Sequence, residues 1–236
     1  MIYVSSDLHG YPLDLFLRLL EKAEFGDSDR LYILGDVIDR NGDGGVAALR
    51  WIRSRPNVEM LLGNHEAMLL SCRFLFEDHA EEDGNPLSGE NLRVYMHWLM
   101  NGADPTVRSL KALHEKNPEA LRDILDFLQG LGLVKEVSAC GRDFLLVHSG
   151  LGGFSPERKL SDYSAEELLW TRPSPDEWYF TDKLTILGHT PTGYLGGEKG
   201  RMLRTETWID IDTGAAGGGA PMLLRLEDLK AFYAEE

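Results

Sequence analysis

The feature that most constrains the fold of this chain occurs five times: a short apolar run followed directly by a few polar residues. The apolar runs are "MIYVSS", "RLYILG", "VEMLLG", "DFLLV" and "LTILG", and the segments after them are "DLHG", "DVIDR", "NHE", "HSG" and "HTP". Short runs rich in Ile, Leu and Val are typical of buried strands. Because ligands of open α/β sheets collect beyond the carboxyl ends of the strands, we expect the five polar clusters to converge on one site.

Apolar residues at helical spacing fill the stretches between these runs. Residues 12–23 and 44–55 are each predicted to form an amphipathic helix. Residues 66–131 are predicted to be mostly helical, with a polar break at 81–91, and we interpret this block as a helical insertion beside the site. The whole chain, 1–236, is then predicted to be a single domain.

Strand patterns return after residue 133 and continue almost to the end of the sequence. The segments 208–214 and 222–226 are predicted to be strands. The tail, 227–236, is predicted to be a short helix or a frayed end.

The composition is that of an ordinary soluble globular protein, with 43% hydrophobic and 27% charged residues. No apolar stretch approaches the roughly 18–20 residues that a membrane span needs, and the N-terminal "MIYVSSDLHG" lacks the features of a secretory signal. The chain has 2 cysteines, Cys72 and Cys140, too few for a disulfide scaffold. We therefore expect a reduced, cytoplasmic setting without membrane association.

The formal net charge of −15 restricts the partners that the chain can attract. Such a field repels nucleic acid and anionic membranes, so neither is expected as a partner. It also repels phosphate esters, and phosphate chemistry would therefore need a strong local positive charge. Bound divalent cations are the usual means of reversing the local electrostatics.

The polar clusters contain six groups that ligate metal ions: Asp7, His9, Asp36, Asn64, His148 and His189. Carboxylate oxygen and imidazole nitrogen suit Mn, Fe or Zn, and none of the clusters contains a thiolate. Six protein groups are too many for one catalytic ion with an open position. They are about right for two ions about 3.5–4 Å apart that share a ligand.

In order, the motifs "SDLHG … GDVIDR … GNHE … VHSG … GHTP" resemble the phosphoprotein phosphatase family of metallophosphoesterases. The chain looks most similar to its compact bacterial and phage branch, the lambda-type serine/threonine protein phosphatases. The motifs run from residue 7 to 191, and "IDTGAAGGG" (211–219) resembles a further family segment. Five clusters in the family's order make coincidence negligible. The resemblance implies the calcineurin-like metallophosphoesterase fold, an α/β fold whose β-sandwich of two mixed sheets is flanked by helices, with a dimetal site at the carboxyl ends of the strands.

The resemblance also implies three kinds of role for the matched residues. The first metal is held by Asp7 and His9, Asp36 bridges both metals, and the second is held by Asn64, His148 and His189. The general acid is His65 with Asp39 as its partner, and phosphate oxygens are bound by Arg40 and by Arg172 in "LLWTRP".

The implied reaction is in-line attack on a phosphomonoester by a hydroxide that bridges the two metal ions. Two divalent ions bring four positive charges, and Asp7, Asp36 and the hydroxide remove three, which leaves about +1 before Arg40 and Arg172 are counted. This charge is enough to seat a phosphate dianion within an acidic protein. Asp39 is expected to favour the charged form of His65, which protonates the leaving oxygen.

Several residues near the motifs have less specific interpretations. Glu66 is expected to complement the start of its helix. Segment 98–110 is either a helix–turn–helix broken at Asn101-Gly102 or a contact with the substrate. The helical block also contains three histidines that are expected to be ordinary surface or helix-face residues: His79, His97 and His114.

Two positions depart from the family pattern. Ser6 stands where the family usually has Gly, which fits if the backbone there has negative φ, and its hydroxyl is expected beside the metal ligands. Gly217 stands where relatives often carry an aromatic residue near the site. We expect a more open mouth as a result.

Other functions of the same fold are associated with motifs that differ from those of this chain. Nucleases and phosphodiesterases of the wider superfamily generally end in Gly-His-x-His, whereas Pro191 occupies the place of the second histidine. Symmetrical dinucleoside tetraphosphate hydrolases tend to have Gly-His-Trp and Gly-Asn-His-Asp, whereas this chain has "GHTP" and "GNHE". A catalytically inactive scaffold would usually have lost the acid histidine or metal ligands, and all of these are present.

The sequence therefore predicts a metal-dependent phosphoprotein phosphatase. The expected partner is a protein or peptide phosphorylated on serine or threonine, and phosphotyrosine is a second expected target. The expected metal is Mn²⁺, although the ligands also permit Fe or Zn. The alternative is symmetrical dinucleoside tetraphosphate hydrolysis. The sequence does not specify the oligomeric state.

Overall fold

Ten strands form two five-stranded mixed sheets in the part of the chain that the computed structural model describes, residues 1–77, 87 and 89–234. The strands are β1 (Ile2–Ser5), β2 (Arg30–Ile33), β3 (Val58–Met60), β4 (Val134–Ala139), β5 (Arg142–Val147), β6 (Leu184–Leu187), β7 (Leu203–Arg204), β8 (Trp208–Asp210), β9 (Met222–Arg225) and β10 (Lys230–Tyr233). The first sheet has the order β10-β9-β1-β2-β3, and the second has the order β4-β5-β6-β8-β7. In the first sheet β1, β2 and β3 are parallel neighbours, and in the second β5, β6 and β8 are.

Seven α-helices cover the sheets within the same described residues. They are α1 (Leu13–Lys22), α2 (Val46–Arg53), α3 (Asn64–Ser71), α4 (Gly89–Met100), α5 (Asp104–Lys116), α6 (Pro118–Gln129) and α7 (Ala165–Leu169). The predicted helices at 12–23 and 44–55 correspond to α1 and α2, and α3 to α6 lie in the block predicted to be mostly helical. Most of the predicted polar break at 81–91, and also His79, lie outside the described residues, whereas 89–91 belong to α4. That 66–131 is an insertion in a single domain stays a prediction.

Both faces of the central strands are buried, which explains their uninterrupted apolar runs. In β5, Phe144 and Leu146 pack into the core between the two sheets, whereas Leu145 and Val147 face the outer core beside α7. The helical side of the first sheet has its own core, to which Trp98 of α4 contributes a fully buried ring. The two mixed sheets flanked by helices confirm the predicted fold class.

The tail of the chain differs from the prediction. Residues predicted as a short helix or a frayed end include strand β10, which pairs antiparallel with β9 from Tyr233↔Met222 to Lys230↔Arg225. Phe232 is buried, and its ring lies 6.1 Å from that of Tyr3. The partner strand and this aromatic contact, which the local pattern does not contain, stabilise the extended form.

None of the helices in the described residues has both the length and the apolar character needed to cross a lipid bilayer.

Candidate active site

The polar segments that follow the parallel strands meet at one edge of the two sheets. Asp36 follows β2 of the first sheet, and His148 and His189 follow β5 and β6 of the second. Their ligating atoms lie within 4.8 Å of one another. A second group with the same spacing consists of His9, Asp36 and His65. Asp36 belongs to both groups, as a ligand shared by two metal ions would.

The distances within these groups fit metal coordination. Asp36 places Oδ2 3.6 Å from His9 Nε2 and Oδ1 3.5 Å from His148 Nε2. Asn64 Oδ1 lies 2.9 Å from both His148 Nε2 and His189 Nδ1. Two ligands about 2.0–2.2 Å from one ion lie about 3–4 Å apart, so these atoms need only small adjustments to share an ion.

The two histidines that follow β1 and β5 are oriented by backbone carbonyls. His9 Nδ1 donates a hydrogen bond to the Ile38 carbonyl at 3.0 Å, and His148 Nδ1 donates to the Leu34 carbonyl at 2.8 Å. With the proton on Nδ1, each Nε2 lone pair faces Asp36. This arrangement fixes the tautomer that a metal ligand requires.

The two carboxylate oxygens of Asp7 differ in their hydrogen bonding. Its Oδ2 accepts hydrogen bonds from the Ser6 hydroxyl and from the His189 backbone N–H, whereas its buried Oδ1 has no hydrogen-bond partner among the described residues. That Oδ1 lies 3.8 Å from His9 Nε2. A buried carboxylate oxygen without a partner is costly, and a cation beside His9 would satisfy it. The position of the Ser6 hydroxyl agrees with the expectation from the sequence.

The backbone of the site is strained at the residues that carry its chemistry. Six of its non-glycine residues have positive φ, between 44° and 75°: Asp7, His9, Asp36, Asp39, Arg40 and His189. This region is sparsely occupied by residues with a Cβ and persists only where the surrounding structure imposes it. The loops at this edge are therefore held in shape by contacts from other parts of the fold.

One of these contacts is the close approach of the loops after β2 and β3. Gly35 has φ +99°, and a Cβ there would lie 2.5 Å from the Gly63 backbone. Only glycine permits both this conformation and this distance. The approach brings Asp36 and Asn64 to the same point.

Glu66 supplies a second contact, and here the prediction covered only part of its role. Its carboxylate accepts from the Gly63 N–H at the start of α3, as expected, but also from three successive N–H groups of the loop after β2. Those N–H groups belong to Asp36, Val37 and Ile38, at 2.8, 2.9 and 3.2 Å. Glu66 therefore holds the loop that presents Asp36.

His65 belongs to the second ligand group by distance, but its hydrogen bonds differ from those of the other histidines. Its Nδ1 is 2.6 Å from Asp39 Oδ2, a carboxylate in place of the backbone carbonyls that orient His9 and His148. Its Nε2 is 3.8 Å from Asp36 Oδ2 and 3.5 Å from Arg40 Nη2. The structure thus brings together the predicted acid, its predicted partner and one predicted phosphate ligand.

A cavity of about 730 Å³ opens over these residues. The metal-binding candidates His9, Asp36, Asn64 and His189 line its floor together with His65. Further lining residues are Arg40, Arg172, Trp170, Tyr194, Lys199 and Gly217. A Cβ at Gly217 would meet no atom within 4 Å, which agrees with the expected open mouth. Both predicted phosphate-binding arginines therefore face the space above the ligand groups.

Burial shifts the pKa values of the site toward neutral side chains. It raises the pKa of Asp36 well above its usual range, with the neighbouring Asp7 carboxylate adding to the shift. It raises the pKa of Asp39 and of Glu66 to about 7, and lowers the pKa of His9 to about 3. A divalent cation stabilises such a site, because it offsets the repulsion between buried carboxylates and is bound by neutral imidazoles.

His65 shows the same effect, which differs from the expectation. Burial, with a further contribution from Arg40, lowers the pKa of His65 to about 3. In the chain alone, burial therefore outweighs the expected influence of Asp39, and His65 is neutral at pH 7. A negative charge placed over Nε2 would raise this pKa again.

These pKa shifts predict how metal binding depends on pH. Asp36 must release a proton to bind a cation, whereas His9 and His189, whose pKa values are lowered to about 3 and about 2, are already neutral above pH 5. Metal affinity should therefore rise with pH. With Mn²⁺ at 100 times its Kd at pH 7.5, we expect the Tm of chelator-treated protein to rise by about 5–10 °C. The same Mn²⁺ concentration should raise it less at pH 5.5. An equal or larger shift at pH 5.5, measured by calorimetry, would contradict this.

Four residues that the structure places around the site were not singled out from the sequence. Trp98 and Thr106 contact Asp39, Trp170 packs its ring edge-to-face on His189 at 6.0 Å, and Asp212 lines the cavity. Asp212 had a usable signal, because "WIDIDTG" repeats the pattern of an apolar run followed by a polar cluster. Trp98 and Thr106 lie in segment 98–110, for which a substrate contact was one alternative but no contact with Asp39 was expected, and Trp170 lies in "LLWTRP", where only Arg172 was given a role. Asn101 and Gly102 form the predicted break between α4 and α5, and Asn101 also lines the cavity.

The chain is similar to several known proteins in sequence and in fold. A symmetrical bis(5'-nucleosyl)-tetraphosphatase from Acidovorax sp. (strain JS42) is 27% identical over 169 residues, which are 71% of this chain and 47% of that protein. The chain thus spans about half the length of this curated relative. A crystal structure of a protein suggested to be a diadenosine tetraphosphatase superposes with a TM-score of 0.61 at 16% identity, covering 98% of this chain and 91% of that one. A serine/threonine phosphatase from Saccharomyces cerevisiae has a TM-score of 0.55 at 16% identity, covering 100% and 80%.

The family comparison covers most of the chain. Residues 1–211 match the profile described as calcineurin-like phosphoesterase. This match includes every strand end that carries a candidate metal ligand. Members of the family use divalent metal ions to hydrolyse phosphoesters, and the two ligand groups that share Asp36 agree with this chemistry. The chain belongs to the calcineurin-like metallophosphoesterase family.

Proposed function

We propose that this chain is a phosphomonoesterase that removes phosphate from serine and threonine side chains of proteins, and also from phosphotyrosine. The observation that carries the proposal is the hydrogen-bonded His65–Asp39 pair, whose His65 Nε2 lies 3.8 Å from Oδ2 of Asp36, the carboxylate that both ligand groups share. Hydrolysis of an alkyl phosphate needs a proton donor beside the metal ligands, because an alkoxide is a poor leaving group unless it receives a proton.

The donor set fits two divalent cations. Asp7 and His9 would hold the first, Asp36 would contact both, and the second would be held by Asn64, His148 and His189. Mn²⁺ is the proposed ion, since oxygen and imidazole donors without thiolate suit it. When bound, the ions would activate water and offset the charge of the phosphate. The partnerless Oδ1 of Asp7 supports a cation at this place.

The other residues of the site would bind the phosphate and move one proton. Arg40 and Arg172 line the cavity, and their guanidinium groups suit the oxygens of a phosphate dianion. The dianion would raise the pKa of His65 and so favour a proton on Nε2. As the P–O bond breaks, its electron pair remains on the leaving oxygen, which takes that proton. Asp39 would hold the opposite ring nitrogen at 2.6 Å and stabilise the charged imidazole.

A phosphoprotein substrate fits the charge of the cavity better than a polyphosphate does. A phosphorylated side chain brings one dianion, which the metals and two arginines can match. A tetraphosphate carries negative charge on each phosphate, and beyond the two arginines the described lining offers one further cation, Lys199. The chain also has a net charge of −15, which repels such a substrate more strongly.

Hydrolysis of symmetrical dinucleoside tetraphosphates is the second candidate. It is supported by the activity for which the Acidovorax relative is named and by two exposed rings at the cavity, Trp170 and Tyr194, on which a nucleobase could stack. The motifs "GNHE" and "GHTP" and the charge of the lining favour the phosphoprotein.

A side-by-side assay separates the two candidates. Metal-free protein is resupplied with Mn²⁺ and offered a phosphoserine peptide and diadenosine tetraphosphate. We expect kcat/KM for the peptide to be at least about tenfold higher, a difference of about 1.4 kcal/mol in transition-state binding. Faster turnover of the dinucleotide would transfer the assignment to the second candidate. Failure to hydrolyse either substrate would contradict both.

The proposed setting of the protein is the cytoplasm. Cys72 is buried and Cys140 is exposed, and both are free thiols, which suits a reducing cytoplasm. The acidic net charge supports the proposal that nucleic acid and anionic membranes are not partners.

A further inference from the structure

Two side chains that have no role in the proposed reaction hold the carboxylate of Asp39. Asp39 is fully buried. Trp98 Nε1 donates to its Oδ2 at 2.7 Å, the same oxygen that lies 2.6 Å from His65 Nδ1. The Thr106 hydroxyl donates to its Oδ1 at 2.6 Å and accepts from the Asp39 backbone N–H at 3.0 Å. Both oxygens of Asp39 are therefore occupied by donors.

These donors come from a distant part of the chain. Trp98 is 59 residues from Asp39 and Thr106 is 67 residues away, on α4 and α5 respectively. Both side chains are fully buried. The turn between the two helices also reaches the site, since the Gly102 carbonyl accepts from the Arg40 N–H at 2.8 Å. The α4–α5 pair is thus in direct contact with the loop that carries the acid's partner.

We propose that Trp98 and Thr106 are positioning residues that hold Asp39 at the angle at which it orients His65. This rests on the proposed function, in which His65 is the general acid. A carboxylate can rotate about its Cβ–Cγ bond, and the loop that carries Asp39 is strained, with φ +75°. Donors on both oxygens prevent that rotation, so Oδ2 remains aligned with His65 Nδ1. The acid's orientation is then set by the helical segment as well as by the strand ends.

Leaving-group dependence provides the test, because a proton donor matters most for a poor leaving group. Trp98→Phe keeps an aromatic ring at this position but removes the N–H donor. We expect kcat to fall about tenfold for a phosphoserine peptide, part of the ~10²–10⁴-fold that a general acid contributes. For 4-nitrophenyl phosphate, whose leaving group needs little protonation, we expect a loss under about twofold. KM should change little for either substrate.

Thr106 provides an independent pair of variants should Trp98→Phe fail to fold. Thr106→Val replaces the hydroxyl by a methyl group of similar size, and it should show the same selective loss. Thr106→Ser keeps the hydroxyl and should retain wild-type leaving-group dependence. Rescue by Ser shows that the donor matters, since a packing effect would follow the lost methyl group.

A double-mutant cycle tests whether Trp98 acts through Asp39. In an Asp39→Asn background, Trp98→Phe should produce no further selective loss, because the oriented carboxylate is already absent. The imidazole ¹⁵N resonances of His65 provide a readout without turnover. In metal-free protein they should shift in Trp98→Phe toward those of Asp39→Asn.

Trp208→Phe is the matched control. Trp208 is also fully buried and donates its Nε1 to a backbone carbonyl, that of Glu177, at 2.9 Å, away from the cavity lining. It should lose stability without a change in leaving-group dependence. Equal losses on both substrates in Trp98→Phe and Thr106→Val, or additivity with Asp39→Asn, would overturn the positioning role. Absence of any phosphoester hydrolysis by the wild type would instead refute the proposed function.

Discussion

Replacing His65 with Asn is expected to lower kcat for a phosphoserine peptide by about 10²–10⁴-fold while the protein still binds metal. Asparagine keeps a polar N–H near the place of Nδ1, but it does not reach the place of Nε2 and has no acidic proton to give there. His65 lies within the distances of the group with His9 and Asp36, but its Nδ1 bonds the Asp39 carboxylate, whereas Nδ1 of His9 bonds a backbone carbonyl. The measurement is steady-state kinetics with Mn²⁺, accompanied by metal analysis of the purified variant.

The control for this variant is His114→Asn on α5, away from the cavity lining. It makes the same chemical change and should leave kcat unaltered. A His65→Asn protein with undiminished kcat would exclude the acid role. A His65→Asn protein that has lost metal would instead identify His65 as a ligand, which its place in the group with His9 and Asp36 makes geometrically accessible.

Replacing Asp36 with Asn is expected to lower kcat/KM by more than about 10³-fold on every phosphoester. Asp36 is the one residue that belongs to both ligand groups, so its loss weakens both metal positions at once. The substitution also removes a buried carboxyl group whose ionisation is opposed by burial and by the neighbouring Asp7, the two causes that raise the pKa of Asp36. Activity and metal-free stability should therefore move independently.

Calorimetry and metal titration measure this separation. The metal-free Asp36→Asn protein should unfold at or above the wild-type Tm, and Mn²⁺ should no longer raise it. Asp143→Asn, at an exposed carboxylate of β5 that accepts from the Ser138 hydroxyl, is the control and should behave like the wild type. Retention of two bound ions per chain in Asp36→Asn would show that Asp36 is not the shared ligand.

The sequence contained most of the information about where the site lies. Each strand that ends at the site is a short apolar run, and each candidate ligand follows such a run directly. Parallel pairing places Asp36 and Asn64 at one edge of the first sheet and His148 and His189 at one edge of the second, and the packing of the two sheets then brings Asp36 next to His148. Local patterns suffice to locate these strands because a run of consecutive residues determines where a buried strand lies and where it ends.

The local sequence predicted only one of the two roles of Glu66. A glutamate three residues after Gly63 predicts a helix start, and its carboxylate does accept from the Gly63 N–H. Its bonds to the loop of Asp36 span about 30 residues, and nothing in the local pattern indicates them. Long-range hydrogen bonds depend on which loops the fold brings together.

Local residue patterns were sufficient to predict the strands that end at the site, the polar residues that follow them and the chemical types of the ligands, since each of these depends on a few adjacent residues. Three features depend instead on how the whole chain packs: Asp39 is held by Trp98 and Thr106, the loops adopt left-handed backbone conformations, and the tail forms strand β10. The reason is the same in all three cases. A strained φ, an oriented carboxylate or an edge strand is stabilised by partners tens of residues away, and the free energy of those contacts exists only once the chain has folded.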